Sequence, residues 1–489
     1  MSEFQDLKNM GFIFHQENNL GEAEKYYLEA LKLENNAEVN NLLGIINLQK
    51  GNLDLAVDWI KKAINIEKNA YFFETLFQVY IKKADFQKIV EMENYVEELF
   101  PKEFFLIFNI ALANKNLNNI KDGIYYYKKA VEINPDSYDA WFNLSHLYGI
   151  EGETYKAVEA LEICRKLKPN DKDTEYFYSI ALLRIKDYDN GLKYFESRMC
   201  KDIAIASQNK TYPNKATYNN LWKGEDISKK TIFVYYEAGF GDVIMFARYF
   251  PLLKKRCRKI ILKIQEPLAN LFIENPQLGI DEIIYNFIPE IDIDFDVHIP
   301  MLSLPFVLGL KGNDVFIGHE GYLNIDKKKK NEYKEKYFNT DKLKIGIKWQ
   351  GNTYYDVDRV IPTESFFPLI DVPNTQFYSF QTFEGAEEVK KLTEKYNVID
   401  IGKDLTDFSM TSATLSNLDL VICNDTSLAH LAGALNIPCW ILLPYEVNWR
   451  WHTDLSICDW YDSVKLFRQK SIGNWKSIFD EVLKILQNI

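Results

Sequence analysis

The residues best suited to chemistry gather late in the chain, in residues 417–444, NLDLVICNDTSLAHLAGALNIPCWILLP. Residues 418–423 form a nearly continuous apolar run, the signature of a parallel strand buried on both faces. Asn424 and Asp425 end it, residues 426–435 change to helical periodicity rich in Ala and Leu, and residues 438–443 return to a strand. A helix that starts directly after a central strand aims its N–H groups and positive dipole end at the crevice above the sheet, where an anion is favoured. Thr426 and Ser427 add hydroxyl donors. His430 lies four residues after Thr426, on the same helix face, where its imidazole could reach a phosphate oxygen. Taken singly, Asp425 or Thr426 reads equally well as an N-cap and His430 as a core histidine; the constellation is more specific than its parts.

Two further turns carry candidate groups. Gly239-Phe-Gly241-Asp242 follows the strand TIFVYYE and opens an amphipathic helix, so its glycines permit close approach of backbone to a ligand, with helix capping as the alternative role for Asp242. Lys348 and Gln350 follow the strand in LKIGIKWQGN, Arg359 lies a short loop beyond, and Gln381 follows QFYSFQ. Cationic groups at such a place could neutralise a departing phosphate, whose negative charge grows as its bond breaks. Asp292, Asp294 and Asp296 alternate strictly in DIDIDFD, which puts all three on one solvated face; this is the better reading than a D-x-D metal site, and no metal or other cofactor is expected.

These segments carry a resemblance. NDTSLAHLAGAL resembles the D-T-x-x-x-H-L-x-x-A-L signature of heptosyltransferase-like GT-B glycosyltransferases, in which this turn holds the diphosphate of a nucleotide-sugar donor. DRVIP resembles the R-S-I-P that follows W-x-G-N in bacterial relatives joining helical repeats to such a transferase. Gln381 matches their S-L-Q, WRW at 449–451 and LFRQ at 466–469 also fit, and DVHIPMLSLP resembles their D-x-H-x-P-L-L-S-L-P. The resemblance covers nearly the whole chain and implies a GT-B fold of two Rossmann-like α/β domains with a C-terminal helix crossing back onto the first. It implies Asp242 as general base, a role a carboxylate suits because sugar transfer to a hydroxyl needs a proton acceptor within reach of the nucleophile. Lys348, Gln350, Arg359, Gln381, Asn424, Asp425, Thr426, Ser427 and His430 would then bind the donor, and Gly239 and Gly241 would form the glycine loop. His298 could face the acceptor, and reads equally as a core histidine.

The elements that must position these groups fall into two kinds. From Phe4 to about Arg198 the sequence repeats itself: Ala30, Ala63, Ala130 and Cys164 share one slot at separations of 33, 67 and 34 residues, and a degenerate repeat near Val96 fills the double gap. Gly11, Gly44, Ala111 and Ser145 recur where two helices must cross closely. The pattern resembles the tetratricopeptide repeat, with a sixth copy ending at Arg198, and predicts a solenoid over residues 1–200 with a concave groove suited to a peptide or protein surface. Asn40, Asn47, Asn109, Asn143 and His146 are candidates for its lining, or else solvated. Residues 201–220 lose the period and read as a linker. Residues 221–335 and 336–489 then read as two Rossmann-like halves, acceptor side and donor side, with further strands expected in EIIYN, DFDVHIPMLS and GYLNI and a charged helix or linker at the join.

Composition bounds the function. The net charge of −12 argues against nucleic acid, and no apolar run approaches the roughly 18 residues of a membrane span, so a cytoplasmic protein without membrane insertion is expected. The six cysteines are scattered without a C-x-x-C pair, which supports neither disulfides nor zinc. The leading expectation is an inverting, metal-independent glycosyltransferase whose repeats recruit an acceptor protein for modification at Ser or Thr. Flagellin is one candidate, since some of the bacterial relatives modify it. Transfer to a surface glycan or lipid-linked saccharide is the second reading, and a non-catalytic scaffold the third.

Overall fold

The computed structural model describes residues 2–199, 218–285, 293–351, 357–452 and 457–489; most of the expected linker, residues 201–217, and Asp292 lie outside them. The chain divides into two compact units, Met1–Pro169 and Asn170–Ile489.

The first unit is a series of antiparallel helical pairs: α1 (Glu3–Gln16) with α2 (Leu20–Leu33), α3 (Ala37–Gln49) with α4 (Leu53–Ile66), α5 (Ala70–Lys82) with the broken pair α6 (Phe86–Val90) and α7 (Glu93–Leu99), α8 (Phe104–Asn116) with α9 (Ile120–Ile133), and α10 (Tyr138–Ile150) with α11 (Thr154–Leu167). Small residues sit where the pattern requires them. A Cβ on Gly11 would lie 2.6 Å from the Tyr27 ring and one on Gly123 2.7 Å from Leu147, so each glycine sets the closeness of its helix crossing. Ala30, Ala63, Ala130 and Cys164 are fully buried. In the degenerate repeat the second helix breaks at Glu91 and Met92, yet Val96 is still fully buried. Asn40 and Asn47 do not line a groove: both are buried, their amides donating to Asn36 O at 2.7 Å and Leu43 O at 2.9 Å on their own helix. Asn143 is half-buried and accepts from Lys115 Nζ at 2.6 Å.

The second unit begins with α12 (Lys172–Arg184) and α13 (Tyr188–Phe195), the pair expected to be the sixth repeat. They keep the hairpin, Gly191 packing on Leu183, but Leu183, Tyr188, Leu192 and Phe195 join the core that holds Trp222, Trp449 and Trp460. Arg198, buried, donates to Glu237 at 3.0 and 2.7 Å, to Glu196 at 2.9 Å and to Ser303 Oγ at 2.8 Å. A buried cation with two carboxylates and a hydroxyl ties these helices to the strands that follow. The unit boundary therefore falls about thirty residues before the expected one at 200, because the last repeat buries its apolar face on α/β elements.

Those elements form two sheets, all of whose pairings are parallel. The first has order β3-β2-β1-β4, from β1 (Ile227–Tyr235), β2 (Cys257–Lys263), β3 (Glu282–Ile284) and β4 (Val297–Pro300). The second has order β10-β9-β8-β5-β6-β7, from β5 (Leu343–Lys348), β6 (Thr375–Ser379), β7 (Val398–Asp400), β8 (Leu420–Asn424), β9 (Cys439–Leu443) and β10 (Val464–Arg468). This is a GT-B fold of two Rossmann-like domains. The strand order reverses between β1 and β4 and again between β5 and β8, and ligands of open α/β sheets bind outside the carboxyl ends at such points.

Two local expectations differ from the structure, the strand at 321–325 and the course of the C-terminal helix. Residues 321–325 are not a strand; the N–H groups of Tyr322 and Leu323 donate to Ala434 O at 2.9 and 3.1 Å, pinning this segment to a helix end in the other half. The charged stretch is a helix, Lys327–Tyr337, capped by Asp326 and without a buried residue. The C-terminal helix, Trp475–Leu486, does not cross back: its Ile478, Phe479 and Val482 pack with Ile345, Phe366 and Leu369 of the second half. Asp294 and Asp296 are exposed between buried Ile293, Phe295 and Val297, and Asp296 accepts from Thr231 N–H at 2.6 Å.

Candidate functional site

A cleft of about 890 Å3 lies between the carboxyl ends of the two sheets, lined from both halves. Its volume is that of a pocket for a sizeable small molecule. The second half contributes the helix Ser427–Ala434, which starts immediately after β8 with Thr426 as N-cap in extended backbone. Asn424 fixes the turn by donating to Arg359 O at 3.0 Å, and Arg359 in turn pairs with Asp425 at 3.1 Å. The loop after β5 passes close by: a Cβ on Gly351 would lie 3.1 Å from Thr426 Cγ2. Lys348, at the end of β5 and level with Cys423 of β8, lines the same cleft. Burial lowers its ammonium to about 8, since it is withdrawn from water and no carboxylate among the described residues offsets the cost.

The first half contributes the helix Phe240–Phe246, whose first turn carries Asp242. The Asp242 carboxylate is gripped by the Arg450 guanidinium, whose Nη1 donates to Asn448 at 2.8 Å; all three residues line the cleft. The two helix starts touch. A Cβ on Gly241 would stand 2.8 Å from His430 Cδ2 and 3.4 Å from Ser427 Cα, so this position must be glycine for the halves to approach as they do. Gly239 has φ −69° and no heavy atom nearer than Asp242 Oδ2 at 3.8 Å, so neither sterics nor backbone requires glycine there.

His430 is buried at the cleft wall, its Nδ1 3.0 Å from Tyr461 Oη and its ring stacked 5.1 Å from Trp451. Burial, then Arg450, Arg248 and Arg359, hold its imidazole well below the ordinary value, so it is neutral at pH 7 and offers a hydrogen bond rather than a positive charge. The positive charge at the cleft comes from Lys348, Arg359 and Arg450.

Residues 16–70, 106–137 and 126–159 match models of the tetratricopeptide repeat. Protein FlbA of Caulobacter vibrioides is 22% identical over 404 residues, which are 76% of this chain and 65% of FlbA. The mitochondrial protein MSS2 of Saccharomyces cerevisiae is 28% identical over 191 residues, 37% of this chain and 52% of that one. The chain thus spans between about half and two thirds of the length of these relatives. The crystal structure of a family 9 glycosyl transferase from Veillonella parvula aligns with a TM-score of 0.43 at 15% identity, covering 54% of this chain and 99% of that one.

Of the residues singled out in the sequence, the cleft gathers Gly239, Gly241, Asp242, Lys348, Gln350, Arg359, Asn424, Asp425, Thr426, Ser427 and His430. Two stand elsewhere. Gln381, 2% exposed, lies behind the cleft wall: its carbonyl accepts from the N–H groups of Trp349 and Gln350 at 3.2 and 3.1 Å, and its amide donates to Gln350 O at 3.0 Å and Glu384 O at 2.6 Å. It joins the loops after β5 and β6. His298 is buried on β4 beside Tyr235 and Phe295, its Nδ1 3.4 Å from Tyr235 Oη, and is not among the cleft-lining residues. Nothing local in the sequence marks Asn448 or Phe383 for a role at this cleft, and the W-R-W triplet is the one signal for Arg450.

Proposed function

We propose that the second unit is a glycosyltransferase that moves a sugar from a nucleotide-activated donor to a hydroxyl of an acceptor, with inversion and without a metal. The observation that carries the reading is the meeting, in one cleft, of a carboxylate from the first half with a helix start and three cationic side chains from the second. A diphosphate at Thr426 and Ser427 would receive the N–H groups and dipole of the helix, with Lys348 and Arg359 opposing the charge that grows on the leaving phosphate. The acceptor oxygen attacks the anomeric carbon from the face opposite the phosphate, the carbon–phosphate oxygen bond breaks with its electron pair going to the phosphate, and the hydroxyl proton passes to Asp242. Arg450 holds Asp242 through Oδ1, which fixes the carboxylate plane and leaves the other oxygen, beside Gly239, to receive that proton.

The tetratricopeptide repeats favour a protein acceptor, since five helical pairs are superfluous to an enzyme acting on a free small molecule. In this reading they bind the acceptor chain and raise the effective concentration of its hydroxyls at the cleft. Ser and Thr of a secreted filament protein such as flagellin fit such an acceptor, and the reaction belongs in the cytoplasm, where nucleotide sugars are made. Among the described residues no helix is long and apolar enough to cross a membrane.

The test pairs binding with turnover. Asp242→Asn is expected to bind nucleotide sugar with unchanged affinity and to lose roughly 100- to 10,000-fold in transfer. Undiminished transfer by the variant would remove Asp242 as the base, and absence of nucleotide binding by the folded wild-type protein would favour the scaffold. Intact-protein mass spectrometry of cells with and without the chain reads the acceptor: a sugar-mass shift on a protein supports the protein acceptor, and a change confined to surface glycan supports the saccharide acceptor.

A further inference from the structure

Phe383 is out of place by two independent measures. Its side chain is 87% exposed, more than any other large apolar side chain among the described residues. Its backbone lies in the left-handed region at φ +55°, where a bulky residue is strained and where the other non-glycine examples here are mostly Asn. An exposed ring on strained backbone costs stability twice, and strain of this kind gathers at ligand sites.

The conformation is built in rather than loose. Gln381, buried behind the loop, donates to Glu384 O at 2.6 Å on one side and Gln350 O at 3.0 Å on the other. Ala386 N–H donates to Phe383 O at 3.1 Å, and Gly385, at φ +79°, packs so closely that a Cβ there would stand 2.7 Å from Gln350 Oε1. The loop is thus clamped to its neighbour and holds the ring at the cleft, whose lining also includes Phe380, Leu405 and Phe408.

Position supplies the ligand chemistry. Phe383 follows β6, and Thr426 with Ser427 follows β8; β5 lies between them in the sheet. Two strand spacings separate the loops by about 10 Å. That is the order of separation that a ribose imposes between the phosphates and the base of a nucleotide. Resting on the glycosyltransferase reading of this cleft, we propose that Phe383 is the platform on which the donor's nucleobase stacks. An aromatic face accepts any base, so Phe383 contributes affinity for the nucleoside part without choosing among bases.

Calorimetry on the full-length chain tests this with four nucleoside diphosphates, ADP, GDP, UDP and CDP, and with inorganic pyrophosphate. For the nucleotide the wild type binds best, Phe383→Ala is expected to weaken affinity roughly 10- to 100-fold and Phe383→Trp to retain it within about threefold. Pyrophosphate affinity should be the same in all three proteins, because its site is untouched. Phe383→Gly should melt no lower than wild type, relieved of strain, while losing nucleotide affinity; a residue with a merely structural role would lose both. Unchanged nucleotide affinity in Phe383→Ala, or equal weakening of nucleotide and pyrophosphate, overturns the platform while leaving the nucleotide-sugar reading intact. Failure of the folded wild type to bind any nucleotide overturns that reading and the platform with it.

Discussion

Lys348 brings to this cleft a charge that depends on pH just above neutrality. Its ammonium is buried and lowered to about 8, against an ordinary value near 10.4. The sign follows: in the folded protein the cationic form is full below about pH 8 and is lost above it. Affinity for pyrophosphate or a nucleoside diphosphate should therefore be highest below pH 8 and fall as pH rises through 8, by up to tenfold per unit, and Lys348→Met should flatten that limb while binding more weakly throughout. The stability linkage runs alongside. Because the folded value lies below the unfolded one, the cost of burying the charge is complete below pH 8 and fades as pH rises toward the unfolded value. Lys348→Met should then gain stability on the order of 1 kcal/mol at pH 7, read by denaturant unfolding, even as it loses anion affinity. A variant that lost stability would mean that the ammonium is offset by partners at the cleft.

At the scale of elements, the site depends on two helix starts meeting head to head. Gly241 sits between them, and the atom its Cβ would meet belongs to a side chain that cannot easily yield: His430 is bonded to Tyr461 at 3.0 Å and stacked on Trp451. Gly241→Ala should therefore push the Phe240–Phe246 and Ser427–Ala434 helices apart, costing about 1–3 kcal/mol in denaturant unfolding. Transfer should fall further than donor binding does, since Asp242 moves relative to the phosphate turn. Gly239→Ala is the control: its Cβ would meet open space apart from Asp242 Oδ2 at 3.8 Å, and a change within about 0.5 kcal/mol is expected. Equal effects from the two alanines would show that the loop, rather than the helix contact, sets the geometry.

At the scale of the whole molecule, the second unit begins before the strands that line the cleft. Helices α12 and α13 share a core with Trp222, Trp449 and Trp460, and Arg198 neutralises the buried Glu237 at the end of β1. A chain starting at Asn219 would expose that apolar core to water and lose the ion pair between Arg198 and Glu237 that joins α13 to the first sheet. Residues 170–489 should fold and bind nucleotide, whereas residues 219–489 should melt far lower or fail to fold, as circular dichroism and nucleotide titration would reveal. Equal stability of the two pieces would instead place the boundary at residues 201–220, where the repeat period ends. The longer piece should still lose transfer to a protein acceptor if the tetratricopeptide repeats supply the tether.

What the sequence determined by itself was whatever is carried by local period and spacing: the helical repeats, the strand-turn-helix at Asn424 to Ser427, the glycine turn before Asp242, and two α/β halves. Each reports the burial pattern of one short segment, and a segment shows its own period whatever it packs against. Tertiary structure alone decided the contacts. Asp242 and Arg450 lie 208 positions apart, and nothing local in either marks the pairing. Gln381 has the residue type of a ligand donor, but its amide is consumed by five backbone groups that only the fold brings round it. The final helical pair has the repeat's pattern because its own hairpin requires the same small residues. Whether its outer face meets another repeat or a sheet is set by the apolar surfaces that reach it, and here that surface is the aromatic cluster around Trp449 and Trp460.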